Sequence, residues 1–251
     1  RFIRSMDDKV STYIPEMKGS PYDDVSVQQL LTMTSGVRWN EDYADPNSDV
    51  ARFNNHQPEP GVDALVSYMR RLPRDAPAGT RWHYSTGETN LVGILVSRAV
   101  GKPLAQYLQE KIWQPAGMER PATWLLSKSG QEISGCCLQA APRDFARFGQ
   151  FILEGARVGG QSVVPEGWLQ QATSKQADIG QPGRGYGYQW WTYDDGSFSA
   201  RGIFGQGIFI DPKRQLVIVT NADWGGGARD PKAMPAREAF YRAVQKAVEE
   251  E

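Results

Sequence analysis

Near residue 180 the chain changes its repeat, from helical spacing to short alternating strands, and this limits the folds open to it. Upstream, residues 7–16 read as a connector with one helical turn. Ser26 is placed to cap a helix over 27–33, with Gly36 as its stop. Residues 62–72 are helical in pattern. A clear helix over 88–100 carries Leu91, Val92, Leu95, Val96 and Ala99 on one face and closes at Gly101. Pro103 opens another through Leu104, Tyr107, Leu108 and Ile112, ending at Gly117. Pro142-Arg143-Asp144 begins a helix with Phe145, Phe148, Phe151 and Ile152.

Downstream, residues 186–193, 198–204, 207–210 and 215–220 read as strands, with Asp211-Pro212-Lys213-Arg214 as the turn of a hairpin. Asp230-Pro231 starts a last amphipathic helix. Helices, then an antiparallel meander, then a closing helix predict an α+β fold with a segregated sheet.

With 251 residues, the chain is long enough for one large domain or two small ones. A formal net charge of -1 leaves no basic field to hold nucleic acid. No apolar run approaches the roughly 20 residues of a membrane span. The only cysteines, Cys136 and Cys137, are adjacent. Neighbouring side chains diverge in extended or helical backbone, so two small buried residues are expected rather than a bridge. With His56 and His83 as the only histidines, a multi-His metal centre is not expected, and no metal or cofactor is called for. His83 reads as a half-buried neighbour of Tyr84 rather than as a base. The start, Arg1-Phe2-Ile3-Arg4-Ser5, has neither an initiator Met nor a signal pattern and reads as the middle of a longer polypeptide. Periplasmic and cytoplasmic locations both stay open.

Familiar catalytic signatures are missing: G-x-S-x-G, H-E-x-x-H, a P-loop and a dinucleotide fingerprint. What stands out is Trp82-His83-Tyr84-Ser85-Thr86-Gly87-Glu88, a tyrosine in a tight turn at a helix start. Tyr84 can serve as a general base only if a neighbouring cation lowers its pKa from about 10. A second feature is Ala200-Arg201-Gly202-Ile203-Phe204-Gly205-Gln206-Gly207. Glycines in a strand allow close approach of a ligand or another backbone, or mark a bulge. A substrate carbonyl on this edge would accept from a backbone N–H, half of an oxyanion hole. Alternation over 186–193 puts Tyr186, Tyr188 and Trp190 on one face and Trp191 and Tyr193 on the other. One of those faces can line a cleft. The loop over 37–61, with Trp39, Tyr43 and Phe53, has the length of a functional or mobile loop.

The order of motifs resembles a known superfamily. Asp7-Asp8, Val10, Tyr13 and Pro15-Glu16 come first, then Val27, Leu30-Leu31-Thr32-Met33-Thr34-Ser35-Gly36. Pro77, Gly79-Thr80, Trp82 and Tyr84-Ser85 follow, then Glu110-Lys111-Ile112, Pro115 and Gly117-Met118. Arg143-Asp144-Phe145-Ala146-Arg147-Phe148-Gly149 precedes the glycine strand. Together they resemble the penicillin-recognising serine hydrolases, which include class C β-lactamases, family VIII esterases, D-Ala-D-Ala peptidases and 6-aminohexanoate-dimer hydrolase. Asp42-Tyr43 and Gly202-Ile203-Phe204-Gly205-Gln206 are nearest the esterase and aminohexanoate branch.

The resemblance implies most of one β-lactamase/transpeptidase-like catalytic domain over 1–251. Its helical part would cover about 20–180, and its sheet and C-terminal helix about 181–251. It implies an acylated serine, a lysine one helical turn later and Tyr84 as proton carrier, with the Ile203 N–H in the oxyanion hole. Tyr43, Thr86, Trp190, Gly202, Phe204 and Gln206 would meet substrate. Thr86 stands where the family usually has Asn. Ala200-Arg201-Gly202 replaces a Lys-Thr-Gly motif, which argues against carboxylate-bearing β-lactams unless Arg201 faces the cleft. None of the nine lysines has a serine three residues before it. The resemblance puts the nucleophile helix and the first strands upstream of Asp7-Asp8.

Two readings result. The first is a serine hydrolase of an ester or small linear amide, completed by an upstream segment or by an upstream fragment as a separate chain; a homo-oligomer stays open as a partner. The second is a non-catalytic binding or regulatory module that keeps an aromatic cleft.

Overall fold

The computed structural model describes residues 2–227 and 230–250. The chain folds as two compact units, Arg1–Glu110 with Thr123–Gln139, and Lys111–Ala122 with Ala140–Glu251.

The first unit is built from helices, all short but α5: α1 (Val10–Tyr13), α2 (Val27–Leu31), α3 (Asp49–Arg52), α4 (Ala64–Met69), α5 (Thr86–Val100) and α6 (Leu104–Leu108). Helices of four to six residues are not stable alone, so caps and packing hold them. Ser26 Oγ accepts from the Gln29 N–H at 3.1 Å while Gln29 Oε1 accepts from the Ser26 N–H at 2.9 Å, a capping box. The helix stops at Leu31, short of the expected residue 33, because Met33 turns to φ +55°. Gly36 is therefore not its stop. A Cβ there would lie 2.0 Å from the Ala76 carbonyl oxygen, so Gly36 serves the close passage of two chain segments.

Asp63 caps α4, accepting from the Leu65 N–H at 2.9 Å. Ser85 Oγ caps α5 through the Glu88 N–H at 3.2 Å, and Gly101 ends it in the left-handed conformation. Val10, Ile14, Leu30, Trp39, Val66, Met69, Leu91 and Leu95 form the core of this unit.

Strands β1 (Thr123–Trp124) and β2 (Leu138–Gln139) pair antiparallel, Thr123 opposite Gln139. Between them lies a departure from expectation. Cys136 and Cys137 are joined to each other, and Cys136 is exposed. Divergence of neighbouring side chains holds for extended or helical backbone. Cys137, at φ +76°, is in neither, and its side chain turns toward its neighbour.

The second unit holds α7 (Pro142–Leu153), the hairpin β3 (Arg157–Val158) and β4 (Gln161–Ser162), and α8 (Trp168–Ala172). A five-stranded antiparallel sheet follows: β5 (Arg184–Tyr186), β6 (Trp191–Tyr193), β7 (Phe198–Arg201), β8 (Gly207–Asp211) and β9 (Leu216–Thr220). Helix α9 (Ala233–Glu249) closes the chain. Neighbours in sequence are neighbours in the sheet, the meander that the strand pattern predicts.

The expected strand over 186–193 is instead two strands around a turn, closed by the Gly187 N–H donating to the Trp190 carbonyl at 2.8 Å. Gly187 lies so near residue 172 that a Cβ would be 2.1 Å from the Ala172 oxygen. The chain bends there, and Tyr186 faces Trp191 across the ladder. Tyr188 and Trp190 therefore do not share a strand face with Tyr186. Helix α7 packs on β9, with Gly149 against the Val217 side chain. Phe209 stacks on Tyr241 of α9 with ring centroids 4.4 Å apart, in a core with Ile218.

Candidate active site

The residues singled out by sequence fall into two sets, one in each unit. In the first unit the loop after α2 returns to the start of α5 and delivers a carboxylate that the sequence reading passed over. Glu41 Oε2 accepts from the Thr86 N–H at 3.0 Å, at the positive end of α5. Its other donors are Trp39 Nε1, the Thr86 hydroxyl and the Tyr43 hydroxyl, the last at 2.9 Å. The Tyr43 and Thr86 hydroxyl oxygens are 3.3 Å apart. Glu41 thus gathers Tyr43 and Thr86 beside Tyr84. Its only sequence signal was its place two residues before Tyr43.

The Tyr84 phenol is pushed up to about 12, first by burial and then by the Glu41 charge, with hydrogen bonding to Thr86 pulling the other way. At neutral pH Tyr84 is therefore a neutral phenol. Burial likewise pushes the Tyr43 hydroxyl far up, helped by Glu41. His83 is exposed rather than half-buried, and its Nε2 lies 2.7 Å from the Trp39 carbonyl oxygen.

Behind this group Glu88 is 2% exposed. It accepts from the Tyr22 hydroxyl at 3.2 Å and from the Ser35 hydroxyl. Burial pushes its carboxyl up to about 8, against the two hydroxyl bonds. Two hollows in this unit, of 610 and 720 Å³, lie elsewhere, one at Asp63, Arg98 and Glu132 and one at Arg74 and Asp75. Neither is lined by Tyr43, Tyr84 or Thr86.

In the second unit, β7 ends at Arg201, and residues 202–205 form a turn in which the Gly202 N–H donates to the Gln206 carbonyl at 2.8 Å. Ile203 and Phe204 are therefore turn residues, not strand residues. Among the described residues nothing accepts from the Ile203 N–H. The Phe204 N–H is used, donating to Gln206 Oε1 at 3.1 Å, while its ring is 44% exposed.

The glycines expected to admit a ligand meet protein instead. Gly205, at φ +97°, lies under the Trp224 ring, 2.6 Å from where its Cβ would be. Gly202 lies against Gln206, and Gly207 against the Tyr241 hydroxyl. Trp190 packs edge-on against Phe198 with ring centroids 5.2 Å apart. Arg201 is committed: its Nη2 donates to Glu238 at 3.1 Å and to the Tyr193 hydroxyl, and its Nε to Ser199 at 3.0 Å. Its guanidinium also lies 5.3 Å from the Trp191 ring centroid.

The motif at 143–149 proves to be architectural. Asp144, fully buried, accepts from the Glu119 N–H at 2.7 Å and the Arg120 N–H at 3.1 Å.

A family model described as Beta-lactamase matches residues 4–242, and the chain belongs to that family. A curated relative, 6-aminohexanoate-dimer hydrolase of Paenarthrobacter ureafaciens, is 29% identical over 232 residues. That match covers 86% of this chain and 59% of the relative, so the chain spans less than two thirds of that protein. Esterase EstB of Burkholderia gladioli is 24% identical, with 94% of this chain and 76% of the esterase covered. Among solved structures, a Bacillus anthracis protein provisionally named a 6-aminohexanoate-dimer hydrolase superposes with a TM-score of 0.84 at 25% identity, covering 98% of this chain and 67% of that one. A penicillin binding protein from Bacillus halodurans, 20% identical, gives a TM-score of 0.68 with 94% and 77% covered. The fold is the α+β fold of the β-lactamases and penicillin-binding proteins.

Proposed function

We propose that these residues belong to a serine hydrolase that opens an ester or a small linear amide through an acyl-enzyme. The observation that carries this reading is the Tyr84 phenol, seated at the N-terminus of α5 with Thr86, Tyr43 and Glu41 around it. A neutral, half-buried phenol is suited to give a proton to a departing alkoxide or amine. It takes one from a nucleophile only when a cation comes near enough to offset Glu41. The resemblance supplies that cation as the lysine of a Ser-x-x-Lys pair, which these residues do not contain.

Ile203 would offer its N–H to the developing oxyanion. Tyr43, Thr86, Trp190, Gly202, Phe204 and Gln206 would border the substrate. The preference for an ester or linear amide over a β-lactam rests on Arg201, whose charge is spent on Glu238 and two aromatic rings. The relatives named as an esterase and as an aminohexanoate-dimer hydrolase support the same choice.

The test is turnover of a p-nitrophenyl ester and a linear amide by the whole enzyme to which these residues would belong and by its Tyr84→Phe variant, with fluorophosphonate labelling alongside. Labelling of both proteins and a loss of about 10²–10⁴ in kcat for the variant are expected. Undiminished turnover in Tyr84→Phe would sink the proton-carrier assignment. Ligand binding with neither labelling nor turnover would favour the non-catalytic module.

A further inference from the structure

The joined cysteines are not explained by the proposed chemistry, nor by stability. A disulfide stabilises chiefly by closing a loop of the unfolded chain. Cys136 and Cys137 have Cα atoms 3.7 Å apart, the spacing of any neighbours on a trans peptide, so this bond closes no loop. What it does set is local backbone. Cys137 is held at φ +76°, where residues other than glycine rarely go. Cys136, exposed, is open to reagents.

The turn is gripped on both sides. Trp124 Nε1 donates to the Ile133 carbonyl at 2.9 Å and to the Cys136 carbonyl at 3.3 Å, and the Leu125 N–H donates to the Cys137 carbonyl at 3.1 Å. On the other side the Gly135 N–H donates to Asn90 Oδ1 at 3.0 Å, and Asn90 Nδ2 donates to the Thr86 carbonyl at 3.0 Å. Gly135 sits so close that a Cβ would be 2.5 Å from Asn90 Nδ2 and 2.8 Å from the Thr86 methyl. The residue before the pair is thus seated on the first turn of α5.

We propose that Cys136–Cys137 is a thiol–disulfide modification site, reduced by small dithiols and bridged by trivalent arsenicals once reduced, whose state is felt by the first turn of α5. One thiolate of the dithiol attacks a cysteine sulfur, and the other cysteine leaves as a thiolate that takes a proton. The reagent's second thiol then displaces the first cysteine, closing the reagent's own disulfide. Two electrons and two protons pass to the protein. Phenylarsine oxide then forms two As–S bonds to the reduced pair, and its oxygen leaves as water with the two thiol protons. Cys137 then relaxes from its left-handed conformation, and the Gly135–Asn90–Thr86 relay loosens.

The test does not read turnover, so it stands or falls apart from the hydrolase reading. The air-oxidised protein is treated with dithiothreitol, desalted, and titrated for thiols with and without phenylarsine oxide. Amide exchange is followed by mass spectrometry. Two thiols are expected only after reduction, with both lost to the arsenical. Exchange over 86–90 and 133–139 should rise several-fold while residues 142–153 stay unchanged. The Cys136→Ser/Cys137→Ser protein should show the fast exchange with or without reductant. Two thiols titrating before reduction would overturn the proposal. So would unchanged exchange over 86–90, or a rise shared by 142–153.

Discussion

Glu88 is a carboxyl whose surroundings favour its neutral form. It is buried at the start of α5, and its Oε2 has no partner among the described residues. Its pKa is raised from 4.5 to about 8 by burial. Between those values the unfolded chain has lost this proton and the folded chain keeps it. Stability therefore falls as pH rises from 4.5 to about 8, with a slope of up to about 1.4 kcal/mol per pH unit. Urea midpoints from pH 5 to 8 should show that decline, and Glu88→Gln, near-isosteric and uncharged, should flatten it. An unchanged slope in the Gln variant would mean that other groups carry it. A sequence shows that a glutamate follows Ser85 by three residues, as a capping helix start wants. It does not show that Tyr22 and Ser35 return from far away in the chain to enclose it. The same limit explains Glu41. Tyr43 and Thr86 were singled out by resemblance, but the carboxylate joining them acts across 45 residues of sequence.

Elements with a strong local reason were legible and those shaped by distant packing were not. The turn over 211–214 and the α2 cap are written in adjacent residues, and both are present. The bend at Gly187 and the turn at 202–205 depend on the 172–174 segment, Trp224 and Gln206, which no local periodicity encodes. Two substitutions measure what holds the elements. Ser26→Ala removes the capping-box acceptor of α2 and should cost about 1 kcal/mol in a denaturant titration. Asp144→Ala removes a buried carboxylate that accepts from the backbone N–H groups of Glu119 and Arg120 and pairs with Arg147 at 3.5 Å. It should cost about 3 kcal/mol, and Asp144→Asn, which keeps one acceptor, should lose less. Equal losses in the two variants would argue that volume rather than hydrogen bonding is at stake.

At the scale of the molecule, the described residues include two apolar clusters with separate membership. One gathers Val10, Leu30, Val66, Leu91 and Ile94 around α5, and the other places Phe209 and Ile218 against Tyr241. Composition and the helix-then-strand order were enough to read an α+β fold. They did not reveal that α7, from the helical stretch, packs on the sheet, because an apolar face names no partner. The separate cores lead to a quantitative expectation. Ile94→Val and Ile218→Val each delete one buried methyl group and should each cost about 1 kcal/mol. The two residues share no packing neighbour within their clusters, so the double variant should lose the sum of the single losses to within about 0.5 kcal/mol. Urea midpoints of the four proteins give the coupling directly. A coupling above about 1 kcal/mol would mean that strain in one core reaches the other, and the two would have to be treated as one.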